Sequence, residues 1–390
     1  MLKKLSLAAL VAMGSMSFAS ATPLTEAIKN VNFGGYLRER FYHHSEDKTG
    51  YTTKWRTTAL FKFSVPVSEE LKFNTAYAFD WSINNNAGIL NEATNKPTGG
   101  APAAGNVKFF LQYSKDGANV IVGKIPVPTP VTATGVGEAT AAGAIATYKV
   151  NDNIVVAAAG LDNLLLTDQV GVGGNNTAAA AVIYKKDALA AQLWYFNVND
   201  ILDSDVVARA DYKVNGIALH ADFATAKLDD THVTTAATSL PSMRGKKTNV
   251  KKTQTYFNVS AAYAQDQLSG KIGYAQTGKD GGIVTLDVDS PLSAVTMTQQ
   301  IYSITDAADT SMIYGNVGYK VDAKTLAYVA DANINDEKSK TINDFIVGVK
   351  YKYTKKMNFH VYYDMLNADN GNAFNKSDNN EFRFEAKYTF

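Results

Sequence analysis

The chain is dominated by segments in which apolar and polar residues alternate in steps of two. In LKFNTAYAFDWSI (71–83), one set of alternate positions holds Leu, Phe, Thr, Tyr, Phe, Trp and Ile, whereas the other holds Lys, Asn, Ala, Asp and Ser. Successive side chains of a β-strand point to opposite faces, so this segment predicts a strand with one apolar face and one polar face. The stretch FRFEAKYTF (382–390) alternates in the same way up to Phe390.

Short and long connections alternate between these segments. Short turns include PVSEE (66–70) and SKDGA (114–118). The longer polar stretches are 84–106, 126–142, 226–253 and 278–311. The pattern predicts about eighteen antiparallel strands, with sixteen possible, joined by short periplasmic turns at one end and long extracellular loops at the other.

The apolar faces of the predicted strands need a covering layer. No helical periodicity supplies one, apart from a possible first turn at 23–30, so lipid is the remaining partner. An unpaired backbone group in hydrocarbon costs several kcal/mol, and the sheet must therefore close on itself, with the last strand paired to the first. The predicted fold class is all-β: a transmembrane antiparallel β-barrel wide enough to enclose water.

The N-terminus predicts export. Residues 1–21 have Lys3 and Lys4, then an apolar stretch, then Ala19-Ser20-Ala21, which is the pattern of a cleaved signal peptide; a membrane anchor would need a longer apolar part. Residues 22–390 are then a single outer-membrane barrel domain. The chain has no cysteine and a formal net charge of +1, so nothing in it indicates a nucleic-acid partner.

The predicted inner face carries the candidate functional residues. By strand parity it holds Arg38, Arg40, Lys54, Arg56 and Asp80. The three arginines are expected to form a basic ladder, because neighbouring strands bring them together. Lys62, Lys72 and Lys108 share this face but lie near strand ends, where they are either part of the wall or solvated rim charges.

The connection 126–142 is the candidate constriction. Pro126, Pro128 and Pro130 cannot donate to a strand ladder, so the chain leaves the wall there. By analogy with general porins, we expect the loop to fold inward, with Glu138 facing the three arginines across a transverse field. Ion preference stays open, because acidic residues are expected on the opposite strands: Asp211, Asp222, Asp331, Asp344 and Asp364.

Glu39 falls on the lipid face by parity. Three explanations are open: a contact between protomers, a position above the bilayer, or a bulge at Gly34-Gly35 that shifts the register. A charge near the membrane midplane is costly, although less so for an acid than for a base.

Two stretches resemble a known family. ATPLTEAIKNVNFGGYLRER (21–40) resembles the start of the mature Campylobacter-type (epsilonproteobacterial) major outer membrane porins, and NVIVGKIPV (119–127) is similar to their V-I-x-G-K strand. The resemblance implies an eighteen-stranded porin that forms a homotrimer in the outer membrane. The function expected is passive diffusion of ions and small hydrophilic solutes through a water-filled channel.

Other functions are weighed against this one. A substrate-selective channel, an outer-membrane barrel enzyme and an adhesin remain alternatives, but no nucleophile, base and acid occur in a recognisable motif, and no enzyme activity is predicted. No cofactor is expected, and a structural divalent cation is possible but has no assigned ligands. Outer-membrane lipid is an expected partner, as is lipopolysaccharide, to which the basic run GKKTNVKK (245–252) could bind.

Overall fold

A computed structural model of the chain describes residues 30–46, 50–85, 90–91, 96–97, 103–133, 139–165, 175–230, 251–287, 289–305, 307–372 and 377–390. The predicted signal peptide, 1–21, lies outside these residues. Among the described residues, no helix has the length and apolar character needed to cross a membrane.

One sheet of 18 antiparallel strands makes up the body of the molecule. The all-β transmembrane barrel and its count of eighteen are confirmed, and the alternative of sixteen is wrong. A separate pairing of Leu90–Asn91 with Lys96–Pro97 lies in the connection after the third strand. The strands are β1 (Asn32–Glu46), β2 (Gly50–Pro66), β3 (Leu71–Asn85), β4 (Ala103–Lys115), β5 (Ala118–Pro126), β6 (Thr140–Lys149), β7 (Ile154–Leu165), β8 (Thr177–Lys186), β9 (Leu189–Val198), β10 (Leu202–Val214), β11 (Ile217–Leu228), β12 (Thr253–Gln265), β13 (Leu268–Thr277), β14 (Ser311–Lys320), β15 (Thr325–Asn335), β16 (Thr341–Lys352), β17 (Met357–Ala368) and β18 (Asn379–Thr389).

The sheet closes between its first and last strands. β1 pairs with β2 on one side and with β18 on the other, where the ladder runs from Tyr36↔Thr389 to Glu46↔Asn379. Phe390 extends this seam: its N–H donates to the Gly35 carbonyl and its carbonyl accepts from the Gly35 N–H, both at 3.1 Å. The predicted closure is therefore present, and each barrel strand has a partner on both sides.

The outer surface of the barrel is an apolar belt. Large apolar side chains stand fully outward on it, for example Phe79 (48% exposed), Leu193 (52%) and Ile272 (65%). An exposed apolar surface of this extent is unusual for a protein surrounded by water. The alternation seen in the sequence thus separates a lipid-facing side from a polar inner side.

The tight turns are built on Asp and Asn residues in the left-handed backbone region. Asp116 (φ 47°), Asp187 (φ 50°), Asn215 (φ 48°) and Asp266 (φ 51°) each open a two-residue hairpin connection. Asp and Asn tolerate this conformation, and the twist of such turns matches that of the paired strands. These residues explain why one end of the barrel is compact.

The connection between β13 and β14 lies inside the barrel. We call its described residues, 278–287, 289–305 and 307–310, the inner strap. Its apolar side chains are buried, among them Leu286 (1% exposed) and Leu292 (0%). The N–H groups of the same two residues donate to the carbonyls of Val131 (2.9 Å) and Pro130 (3.0 Å), so the strap packs on the connection after β5.

Gly123 in β5 provides a test of the barrel wall. Its φ is +127°, and a Cβ at this position would lie 2.4 Å from the Phe109 carbonyl oxygen of β4. A side chain there combines backbone strain with overlap, which together cost about 2 kcal/mol or more. We expect Gly123→Ala to lower the urea midpoint of the refolded barrel, measured by its electrophoretic mobility shift. Gly105→Ala is the control, because a Cβ there meets nothing within 4 Å; equal midpoints for both variants would contradict the argument.

Candidate functional site

The predicted inner-face residues lie together on β1, β2 and β3. Arg40 is the register partner of Arg56, and Arg38 that of Thr58, which in turn faces Asp80. Arg38 is 3% exposed, whereas its neighbour Leu37 on the outer face is 46% exposed, which fixes the orientation of the strand. Lys54 is the register partner of Tyr42 on the same inner face.

Most arginines of this wall form ion pairs with carboxylates. Arg56 makes a bidentate contact with Asp80, at 2.9 Å from Nε and 2.5 Å from the second nitrogen. Arg40 Nε lies 2.5 Å from Glu385 of β18, which also accepts from Arg383 at 3.1 Å. The wall is thus a row of alternating charges. Arg38 donates to the neutral Thr58 hydroxyl (3.3 Å) and lies 5.8 Å from the centre of the Tyr36 ring.

Arg383 and Glu385 are functional candidates that the sequence interpretation missed. Both stand on β18, directly beside β1, and the Arg383 guanidinium lies 4.9 Å from the Tyr42 ring centre and 5.5 Å from that of Tyr362. A guanidinium held between aromatic rings is restrained in position. The signal was available, because pairing the last strand with the first places the polar face of 382–390 beside Arg40.

A second cluster of charges lies on β10 and β11. Arg209 Nε donates to Asp222 at 2.7 Å, and the His220 ring contacts Asp211 at 2.8 Å and Asp222 at 2.7 Å. Arg209 also donates to the Pro291 carbonyl of the inner strap at 3.3 Å. Lys271 of β13 donates to the Val295 carbonyl at 2.9 Å, so this side of the barrel holds the strap through its carbonyl groups.

Two further strands, β16 and β17, hold the strap through its N–H groups. Asp344 of β16 accepts from the N–H groups of Gln300 (3.1 Å) and Ile301 (2.7 Å). Asp364 of β17 accepts from the N–H of Gln299 at 3.0 Å. The strap is therefore attached to the inner wall at β10 and β13 through its carbonyl groups and at β16 and β17 through its N–H groups.

Some predicted positions differ or cannot be placed. Asp331 was expected on the inner face, but it shares the outer face with Val329 (38% exposed) and accepts from Asn343 at 2.9 Å. The β1–β2 register is continuous through Gly34 and Gly35, so a bulge is not the explanation for Glu39, which stays on the outer face and accepts from the Thr57 hydroxyl at 2.9 Å. Glu138 lies outside the described residues.

The described residues provide no set of ligands for the structural divalent cation that the sequence allows. Within the part of the chain that the structure describes, no group of three or more His, Cys, Asp or Glu side chains is arranged to hold a metal ion. Of the basic run 245–252, only Lys251 and Lys252 are described, and they form ion pairs with Asp280 (2.6 Å) and Asp230 (2.9 Å).

The anchoring carboxylates allow the strap to be tested as a constriction. Asp344→Ala removes two charge-assisted hydrogen bonds, each worth about 1.5–3 kcal/mol, so the strap should leave the wall more often. We expect a higher and noisier single-channel conductance in planar bilayers. Asp331→Ala is the matched control, since it removes an acid from the outer face of the neighbouring strand. If Asp344→Ala conducts like the unmodified protein, the strap is not the constriction.

Comparison with known proteins agrees with this architecture. Residues 1–172 match the family model described as Campylobacter major outer membrane protein. No curated protein matches the chain. Solved structures with the same fold include OccAB1 of Acinetobacter baumannii (TM-score 0.71, 15% identity, covering 96% of this chain and 99% of that one) and OprD of Pseudomonas aeruginosa (TM-score 0.64, 15% identity, 92% and 94%).

A further structure with this fold is OpdK of Pseudomonas aeruginosa, solved with vanillate (TM-score 0.70, 11% identity, covering 93% of this chain and 99% of that one). At these identities the structures establish the fold, and the family match over residues 1–172 agrees with a place in the outer membrane. The chain is an outer-membrane porin barrel whose first 172 residues match the Campylobacter major outer membrane protein family.

Proposed function

We propose that the barrel is a passive diffusion channel for ions and small hydrophilic solutes. The observation that carries this proposal is the closed sheet whose inner face holds paired charges and a strap attached to several wall strands. Water and solutes pass beside the strap, and fixed charges on the wall sort them. Reconstitution in a planar bilayer tests the proposal, which requires stepwise conductance in salt.

The inner wall favours small anions. On β1 to β4 and β18 its basic groups outnumber the acids Asp80, Glu381 and Glu385. Both Asp344 and Asp364 accept hydrogen bonds from strap N–H groups. The basic set consists of Arg38, Arg40, Lys54, Arg56, Lys62, Lys108, Arg383 and Lys387. The transverse field that we predict between Glu138 and the arginines would order water and sort permeants by charge.

A substrate-selective channel is the second candidate. The Arg383 guanidinium between Tyr42 and Tyr362 offers a positive group framed by aromatic rings, which suits a carboxylate attached to a ring. Vanillate, the molecule named with OpdK, has this chemistry. Saturation of the current by an aromatic carboxylate, absent with acetate, would favour this candidate over general diffusion.

The assembly expected in the membrane is a homotrimer. Polar groups interrupt the outer apolar belt on β1 to β5: Glu39 with Thr57 (2.9 Å), Asn106 with Thr75 (2.8 Å), and Lys124 with the Asn106 carbonyl (2.7 Å). A carboxylate and an ammonium group on this face are better solvated by a neighbouring protomer than by acyl chains. The rest of the belt contacts lipid, and lipopolysaccharide is the expected lipid at the long-loop end.

Transport, and not catalysis, is the activity that we infer. The lumen carboxylates of Asp80, Asp222, Asp344, Asp364 and Glu385 are used in ion pairs and strap anchors, and the enzyme alternative has no assigned nucleophile. Lipid hydrolysis by the purified protein would overturn this part of the proposal.

Arg56 and Asp80 give a charge test with opposite signs. Removal of one partner leaves the other uncompensated on the inner wall. A unit charge about 8 Å from a passing ion in water changes its energy by about 0.5 kcal/mol, roughly a twofold change in preference. We expect Arg56→Gln to shift the reversal potential in a salt gradient toward cations and Asp80→Asn to shift it toward anions. Shifts of the same sign, or none, would remove the pair from the ion path.

The trimer is tested at Glu39. Glu39→Ala leaves the inner face unchanged but removes the buried contact proposed between protomers, so native mass spectrometry in detergent should show more monomer. Asn333→Ala, on the outer face of β15, should leave the trimer intact. A monomeric unmodified protein, or no difference between the two variants, would contradict this arrangement.

A further inference from the structure

A second basic region lies on the inner wall at the short-turn end of the barrel. A cavity of about 490 Å³ opens there between β1, β2, β3, β4 and β18. Its polar lining includes Lys62, Lys108 and Lys387 together with Ser64, Asn74 and Thr389. The cavity is separate from the Arg40, Arg56 and Arg383 row, because none of those three residues lines it.

The strand register explains why the lysines converge. Lys62 stands opposite Gly34 and Lys387 opposite Arg38, so β2 and β18 flank β1 with a lysine on each side. Gly34 has no side chain to separate them. Lys108 on β4 stands opposite Ala76, which is also small, and is itself only 9% exposed. Three lysines from three strands therefore border one cavity.

Lys62 and Lys387 differ from the arginines in their counter-ions. Arg40, Arg56 and Arg383 each contact a carboxylate, whereas no Asp or Glu lines this cavity among the described residues. Lys62 and Lys387 form no ion pair within the described part of the chain. The Lys387 ammonium is held 4.7 Å from the centre of the Tyr36 ring, which restrains it without neutralising it.

The remaining polar groups of the cavity can donate hydrogen bonds. Nδ2 of Asn74 is buried with no acceptor among the described residues, and the hydroxyl groups of Ser64 and Thr389 add further donors. The uncompensated ammonium groups of Lys62 and Lys387, together with these donors and without a carboxylate, have the chemistry that binds an oxyanion. A compact dianion would be favoured over a monoanion, because two or more ammonium groups act on it together.

We propose that this cavity is an oxyanion subsite, selective for phosphate or dicarboxylate groups, at the short-turn end of the channel. This subsite rests on the proposed channel function. It would give the channel a binding position for anionic solutes beyond Arg38. Phosphate and dicarboxylate share the required chemistry, and the experiment separates them.

The test is current block by the full chain in a planar bilayer. With KCl as carrier, inorganic phosphate and succinate are added in separate arms, with acetate as the monoanion comparison. We expect a dianion to reduce the current at lower concentration than acetate, and Lys62→Gln/Lys387→Gln to raise the half-blocking concentration at least about tenfold. The arm with the lower half-blocking concentration identifies the better ligand.

A charge-matched control is Lys324→Gln/Lys355→Gln, which removes two exposed ammonium groups from short turns at the same end. An equal shift in the control would assign the block to general surface charge and overturn the subsite. Unchanged block in Lys62→Gln/Lys387→Gln would also overturn it. If the unmodified protein conducts no current, the channel proposal fails, and calorimetric titration of phosphate into the detergent-solubilised protein still decides whether the subsite binds.

Discussion

The structure depends on the pairing of backbone N–H and C=O groups where no water is available. In a hydrocarbon surrounding, a sheet edge is too costly to leave open. The seam between β1 and β18, continued by Gly35 and Phe390, removes that edge. The apolar belt outside and the polar wall inside follow from this closure, because the alternation of side chains along each strand then separates lipid from lumen.

Closure also determines which residues act together at the functional site. Arg40 and Glu385 are 345 positions apart in the chain, yet they form an ion pair because the first and last strands are neighbours. The basic wall therefore forms where the first and last strands meet, whereas the strap is formed by the connection between β13 and β14. The barrel wall supplies the charges, and the strap sets which of them a solute can approach.

The sequence predicts the wall better than the interior. Alternation over 71–83 and 382–390 identifies strands and their faces, and even the alanine-rich β7 and β8 can be placed from the spacing of turns. Parity fails where both faces are similar: in β15 the inner Tyr328, Ala330 and Ala332 resemble the outer Val329 in character, so Asp331 was assigned to the wrong face. A one-residue error of register reverses every side chain.

The inner strap was not predicted, because its length and polarity resemble those of an exposed loop. Its content of Ile283, Val284, Leu286 and Leu292 is the signal that could have identified it, since exposed loops rarely carry so many aliphatic side chains. Contacts such as Asp344 with the Gln300 and Ile301 N–H groups depend on the folded path of the strap, which local patterns do not encode.

The attachment of the strap to Asp344 and Asp364 through main-chain amides has an evolutionary consequence. Every amino acid except proline carries such an amide, so replacements at 299 and 301 can change the shape and polarity of the passage while the tether persists. Diversification of permeant range could therefore proceed within the strap at little risk to the scaffold, whereas the two wall acids that receive it have far less freedom to vary.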